Sequence, residues 1–239
     1  MYWILSGRSA IRNVLRKCIL CFRLKPTCPT QLMGELPKER VTPSRVFAHT
    51  GLDYAGPFAI KISRNKTSKA YLCLFVCMAT KAVHLELVPD LTTNGFLNSL
   101  KRFVARQGKC ISLSSDNGKN FVWASNELRR IVQALFSESG SRSKILDFVA
   151  TNSIKWNFIP PQAPHMGGLW EAAVKSARSH LKSVLNDTPL TFEEFYTVIT
   201  QIEAILNSRP LCPFSSDVQD LNVLTPGHFL IGTAMNSVL

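Results

Sequence analysis

A chain of 239 residues, 46% hydrophobic and 18% charged, has enough apolar material for a full globular core, which excludes a disordered or fibrous polypeptide. Its 28 Lys and Arg against 16 Asp and Glu leave a net charge of +12, and that excess on a folded chain points to a polyanionic partner, nucleic acid ahead of a membrane surface. No run approaches about 18 consecutive apolar residues, the start lacks a cleavable signal pattern, and seven Cys are too few for a secreted disulfide framework, so a reducing intracellular setting with no membrane is expected.

Residues 1–40 are basic and interrupted by Pro26, Pro29, Gly34 and Pro37, which reads as an appendage and linker carrying Cys18-x-x-Cys21. Strand formers then dominate: strands are predicted over 46–62, 71–80 and 82–88, with the basic segment 63–69 as the turn between the first two, an antiparallel meander. Within them Cys73 and Cys77 share a face among Leu and Phe and read as buried thiols, whereas His84 alternates with Val83 and Leu85 and reads as outward-facing. Thr92 or Thr93 caps a predicted helix whose Phe96, Leu97, Leu100, Phe103 and Val104 recur at helical spacing until Gly108. A fourth strand is predicted over 110–115, helices over 124–136 and 142–150, and a short strand over 154–159. Pro160, Pro161, Pro164, Gly167 and Gly168 make an irregular loop; a helix runs from Leu169 to Leu185, and Pro189 starts another that ends near Asn207-Ser208-Arg209-Pro210. The tail from Leu211 receives no element. This order is mixed α/β, antiparallel in front with parallel additions behind a crossover.

In a basic protein, acids among apolar residues stand out. Asp53 lies inside the first predicted strand in Thr50-Gly51-Leu52-Asp53-Tyr54, and Asp116 follows the fourth in Ser115-Asp116-Asn117-Gly118. Strands disfavour Asp, and burying a lone carboxylate is costly unless it is paired or binds a metal. A carboxylate at a strand end is a hard oxygen donor suited to Mg²⁺ or Mn²⁺, although Asp-Asn-Gly is equally a turn sequence and Asp53 equally a strand-edge residue. Glu171 opens a helix, and at about 100° per residue Lys175, Arg178 and Lys182 fall within about 40° of it, so one narrow stripe carries an acid and three bases. Ala173, Val174, Ala177, Leu181, Val184 and Leu185 form the packing face beside it. The stripe reads either as a solvated face with a Glu-to-Lys pair or as a metal-binding carboxylate followed by bases that track phosphates.

Four blocks carry a resemblance: Gly-Leu-Asp53-Tyr-Ala-Gly-Pro-Phe, Ser-Asp116-Asn-Gly-Lys-Asn-Phe, Pro-His-Met-Gly-Gly-Leu-Trp-Glu171-Ala-Ala-Val-Lys-Ser-Ala-Arg, and Leu206-Asn207-Ser208-Arg209-Pro210-Leu211. In this order, and over nearly the whole chain, they resemble the integrase region of LTR retrotransposons, closest to the BEL/Pao group. The resemblance implies a ribonuclease-H-like core over 41–212, a mixed five-stranded sheet flanked by helices, in which Asp53, Asp116 and Glu171 hold two Mg²⁺ or Mn²⁺ ions. It implies phosphoryl transfer by the two-metal route: water attack trims the element's 3′ ends, and the freed hydroxyls attack target DNA. Lys175, Arg178 and Lys182, with Lys119 and His165, become candidate DNA contacts whose affinity is salt-sensitive rather than sequence-specific. The implied partners are element ends, target DNA and further copies of this chain as a homo-oligomer, acting in the nucleus after a cytoplasmic retrotransposon particle.

The chain also departs from the family's pattern. Of the family's amino-terminal His-His-Cys-Cys zinc module only Cys18 and Cys21 remain, so residues 1–40 are expected to be a truncated remnant in which Zn²⁺ binds only if the missing ligands are supplied. Residues 213–239 are expected to begin a carboxyl-terminal extension. The interval between Asp116 and Glu171 is longer than in retroviral relatives, which places an insertion within 137–153. Gly167 stands where relatives carry a polar residue such as Gln, leaving His165 or the loop backbone to substitute, and Lys119 stands where related copies often have Thr. The alternative to an active enzyme is a catalytically inactive or host-recruited nucleic-acid-binding remnant; a ribonuclease H on the same fold would leave the Asn207–Pro210 block without a reason. The full carboxylate set favours the enzyme, and the shortened termini favour metal-dependent nicking over complete integration.

Overall fold

In the computed structural model, which describes residues 6–19, 36–115, 154–159, 166–185, 189–217 and 222–235, the strand formers between 46 and 88 fold as three antiparallel strands. These are β1 (His49–Ser63), β2 (Lys66–Cys77) and β3 (Val83–Val88). The β1–β2 register runs from Thr50↔Cys77 to Ser63↔Lys66, so the hairpin turns on Arg64-Asn65 alone and most of the basic segment expected as a turn is paired strand. The ladder continues beyond the core: Lys66 to Lys69 are exposed yet remain paired. Gly56, at φ +136, occupies the irregularity between Ala55 and Phe58, a backbone state that side chains resist and that lets β1 bend.

One face of the sheet is covered by α3 (Thr93–Gln107), which follows two short helices, α1 (Gly7–Lys17) and α2 (Lys38–Val41). Thr92 caps α3 by accepting the Gly95 N–H at 3.0 Å. Phe96, Leu100 and Phe103 then pack with Leu52, Tyr54, Cys73, Phe75 and Cys77, Phe75 stacking on Phe103 at 4.1 Å. Cys73 and Cys77 are buried thiols as expected, and burial pushes Cys73 up to about 12. β4 (Ser112–Ser115) joins β1 in parallel and β5 (Lys155–Phe158) joins β4 in parallel. The helices expected over 124–136 and 142–150, and the insertion within 137–153, lie outside the described residues.

The other face is covered by α4 (Gly168–Val184) and α5 (Phe192–Asn207). Trp170, Ala173, Ala177, Leu181, Phe195, Ile199, Ile202 and Leu206 pack there against Ala55, Leu72, Leu74, Val76, Leu85 and Leu87. Val184, assigned to the packing face, is 38% exposed instead, because the stripe drifts off the sheet at the helix end; Trp170 at the other end is 2% exposed. Pro189 does not start α5. Leu190-Thr191 first form β6, parallel to Ile60-Lys61 of β1, and Thr191 makes a capping box with Glu194 that opens the helix. The sheet order is β3-β2-β1-β4-β5, with β6 on the far end of β1, which is the expected mixed five-stranded sheet between helices plus one short addition. After α5, β7 (Cys212–Pro213) pairs with β8 (Val223–Leu224), and Thr225 caps α6 (Pro226–Ile231), elements too short to leave a periodic signal.

His84 does not face outward. It is 3% exposed because both faces of β3 are covered, so the polar half of the alternation is buried under α3. Its Nε2 lies 3.1 Å from Glu86 Oε1 and its Nδ1 3.2 Å from Glu203 Oε1, while Arg102 and Arg106 of α3 donate to Glu86 at 2.6 and 2.7 Å.

Residues 1–36 form a unit distinct from 37–239. In the first, α1 exposes Ile11, Val14 and Leu15, and Cys18 follows its last turn half-buried; Cys21 lies outside the described residues. Among the described residues no helix is long and apolar enough to cross a membrane.

Candidate functional site

Alternation along β1 sends Leu52 and Tyr54 toward α3, so Gly51, Asp53 and Ala55 face α4. Asp53 is 7% exposed, and its Oδ1 accepts the Tyr54 N–H at 2.7 Å, which orients the carboxylate from its own strand. Gly51, two residues earlier on that face, lies directly beneath the indole of Trp170: a Cβ there would sit 2.3 Å from Trp170 Cε3, so only glycine permits the contact. Glu171 is the next residue, exposed on the first turn of α4. A Cβ on Gly167 would lie 3.2 Å from Glu171 Oε1 and 3.1 Å from Trp170 Nε1, so the absence of a side chain at 167 leaves room for the acid over the helix start. Two blocks more than a hundred residues apart thus meet through Gly51 and Trp170, bringing the Asp53 face of β1 to the helix turn that carries Glu171.

The parallel ladder of β1 and β4 ends at Leu52↔Ser115, next to Asp53 on one strand and one residue before Asp116 on the other. Trp156 Nε1 donates to Ser115 Oγ at 3.0 Å, tying the end of β4 to β5. Asp116, Lys119 and His165 themselves lie outside the described residues. Among the described residues no group of three His, Cys, Asp or Glu is close enough to hold a metal ion. Asp53 and Glu171 offer carboxylate oxygens only, a donor chemistry that fits a hard divalent cation and not a soft one.

Along α4, Lys175 and Lys182 are exposed and Arg178 is half-buried, so the acid-and-base stripe is accessible while Ala173, Ala177 and Leu181 pack beneath it. The Asn207-Ser208-Arg209 block has a structural role. Asn207 is buried and exchanges two hydrogen bonds of 2.8 Å with the backbone of Val83; Ser208 donates to the Ala204 and Met235 carbonyls, and Arg209 donates to the Lys81 carbonyl. The Gly51–Trp170 contact is absent from the sequence reading; a glycine inside a strand pattern is the signal that marks such a close approach.

The strand order, the parallel crossover and the helices on both faces define a mixed α/β fold of the ribonuclease-H-like kind. Among solved structures the chain is similar to one in the cryoEM structure of simian T-cell lymphotropic virus intasome in complex with PP2A regulatory subunit B56 gamma, with a TM-score of 0.51, 15% identity, and 97% of this chain and 69% of that chain covered. No family model and no curated protein matches the sequence.

Proposed function

We propose that the chain is a polynucleotidyl transferase, the integrase of a BEL/Pao-like LTR retrotransposon, in which Asp53, Asp116 and Glu171 hold two Mg²⁺ or Mn²⁺ ions. The observation that carries this reading is the Gly51–Trp170 contact, which joins the Asp53 face of β1 to the Glu171 turn of α4 beside the end of β4, the strand that Asp116 follows. The likeness in fold to a chain of a viral intasome supports it. When bound, such ions activate the attacking oxygen and neutralise charge on the leaving one. The chain's own groups do the rest: the Tyr54 N–H orients Asp53, a rigid helix carries Glu171, and Lys175, Arg178 and Lys182 bind backbone phosphates along the exposed stripe, with Lys119 and His165 as further contacts. Element ends and target DNA are the substrates, further copies of this chain the partners, and the nucleus the place of action.

The test is incubation of the full chain with Mn²⁺ and a branched labelled duplex beside Asp53→Asn, Asp116→Asn and Glu171→Gln. Product is expected from the parent alone, with comparable duplex binding by all four proteins at low salt. Equal product from parent and variants overturns the assignment, and binding without product under Mn²⁺ or, in a parallel incubation, Mg²⁺ identifies a nucleic-acid-binding remnant.

A further inference from the structure

Around α4 from Glu171, by about a third of a turn, lies an open cavity of about 370 Å³. Its walls come from four elements. Arg40 enters from α2, Lys81 from the turn between β2 and β3, Arg209 from the end of α5, and Leu169, Ala172 and Ser176 from α4. Among the described residues no acid lines it, and none of Arg40, Lys81 and Arg209 takes part in a described ion pair.

The arrangement is held in place. Lys81 adopts φ +59, an uncommon state for a residue with a side chain, and its carbonyl accepts from Arg209. That bond fixes one side of the guanidinium and leaves its remaining N–H donors for another acceptor. Arg209 is half-buried, and burial pushes its guanidinium below the ordinary value, the expected response of a cation that lacks a counter-ion. Among the described residues nothing lies within 4 Å of where a Cβ on Gly168 would stand, so they leave the mouth open at the first turn of α4.

We infer that this cavity binds a phosphodiester of a nucleic-acid backbone, with Arg40, Lys81 and Arg209 as its donors. Donors from three directions suit a tetrahedral oxyanion, and a net charge of +12 favours a polyanion over an isolated carboxylate. The cavity adjoins the exposed Lys175 and Lys182 stripe on the same helix, so one backbone crossing α4 reaches both. The inference rests on the reading of the chain as a DNA-processing protein and adds a contact surface outside the three acids.

The experiment is fluorescence anisotropy of a labelled blunt duplex titrated with the full chain over a salt series. Arg40→Gln with Lys81→Gln removes two cations whose side chains make no described hydrogen bond, and Ser176→Glu adds a carboxylate to the wall from an exposed helix position. The double variant is expected to flatten the slope of log K against log salt by about two, and Ser176→Glu to weaken binding at low salt, both with the parent's unfolding midpoint. The charge-matched pair Arg64→Gln with Lys66→Gln is expected to keep the parental slope. A parental slope in the cavity variant, while Lys175→Gln with Lys182→Gln loses it, overturns the inference and leaves the proposed function standing. The same loss in the charge-matched pair also overturns it, and a parent that binds no duplex at low salt removes both.

Discussion

At Gly51 a missing side chain does structural work that no periodicity reveals. The Trp170 ring occupies the space of a Cβ, so Gly51→Ala must push the indole away, and with it the first turn of α4 that carries Glu171. Urea unfolding is expected to show a loss of about 1–3 kcal/mol, the usual scale of overpacking, and Mn²⁺-dependent cleavage to fall further than the remaining folded fraction explains. Asp53 was legible as an acid out of place in a strand, whereas its neighbour across the interface was not, because a contact spanning more than a hundred residues belongs to the tertiary fold. His84 was misread for a related reason: alternation gives two faces but does not say whether both are covered. Burial alone lowers its imidazole, but hydrogen bonds to Glu203 and Glu86 outweigh burial and raise it to about 9. Glu86 moves the other way: burial raises it, but hydrogen bonds from His84 and Arg102 win and hold it below the usual range. The folded value of His84 exceeds its unfolded value near 6.5, so its stabilisation is fully present below about pH 6.5 and is lost as pH rises through about 9. Urea unfolding of the parent is expected to lose on the order of 3 kcal/mol across that interval, and His84→Gln to show a much flatter profile.

At the scale of elements, β3 is the exposed-edge problem of the sheet, and side chains solve it. Its outward N–H and C=O groups at Val83 bond Asn207, the Leu85 N–H bonds Glu203 at 2.7 Å, and the Leu87 carbonyl accepts from Arg102 at 3.3 Å. Residues 203 and 207 are four apart on α5 and therefore share a face, so the helix stands where another strand would pair. Asn207→Leu leaves both Val83 groups buried without partners; the free energy of unfolding is expected to fall by about 2–4 kcal/mol more than in a surface variant, with concentration-dependent aggregation in light scattering. The strands and long helices were readable because their apolar spacing is a local property. Their ends were less so: the β1–β2 hairpin turns on Arg64-Asn65 with no glycine to mark it, and the Thr191 to Glu194 box was hidden behind the Pro189 signal.

For the molecule as a whole, the order of elements sufficed to give the mixed sheet, since three strands, a helix and two returning parallel strands leave few topologies once crossovers are restricted. The proposed meeting of the acids does not follow from that order. It is implied by the resemblance of four blocks, and the structure adds the contact that joins two of them. The net charge of +12 has a physical place on this fold, with an accessible basic stripe on α4 and a second basic surface beside it. What remains most open to direct test is whether the three acids act as one ligand set. Titration of the full chain with Mn²⁺, followed by loss of the free-ion electron paramagnetic resonance signal, is expected to show two ions bound by the parent and weakened binding in Asp53→Asn, Asp116→Asn and Glu171→Gln alike, with unfolding midpoints near the parent's. Parental Mn²⁺ affinity and stoichiometry in any one of the three would contradict a shared site.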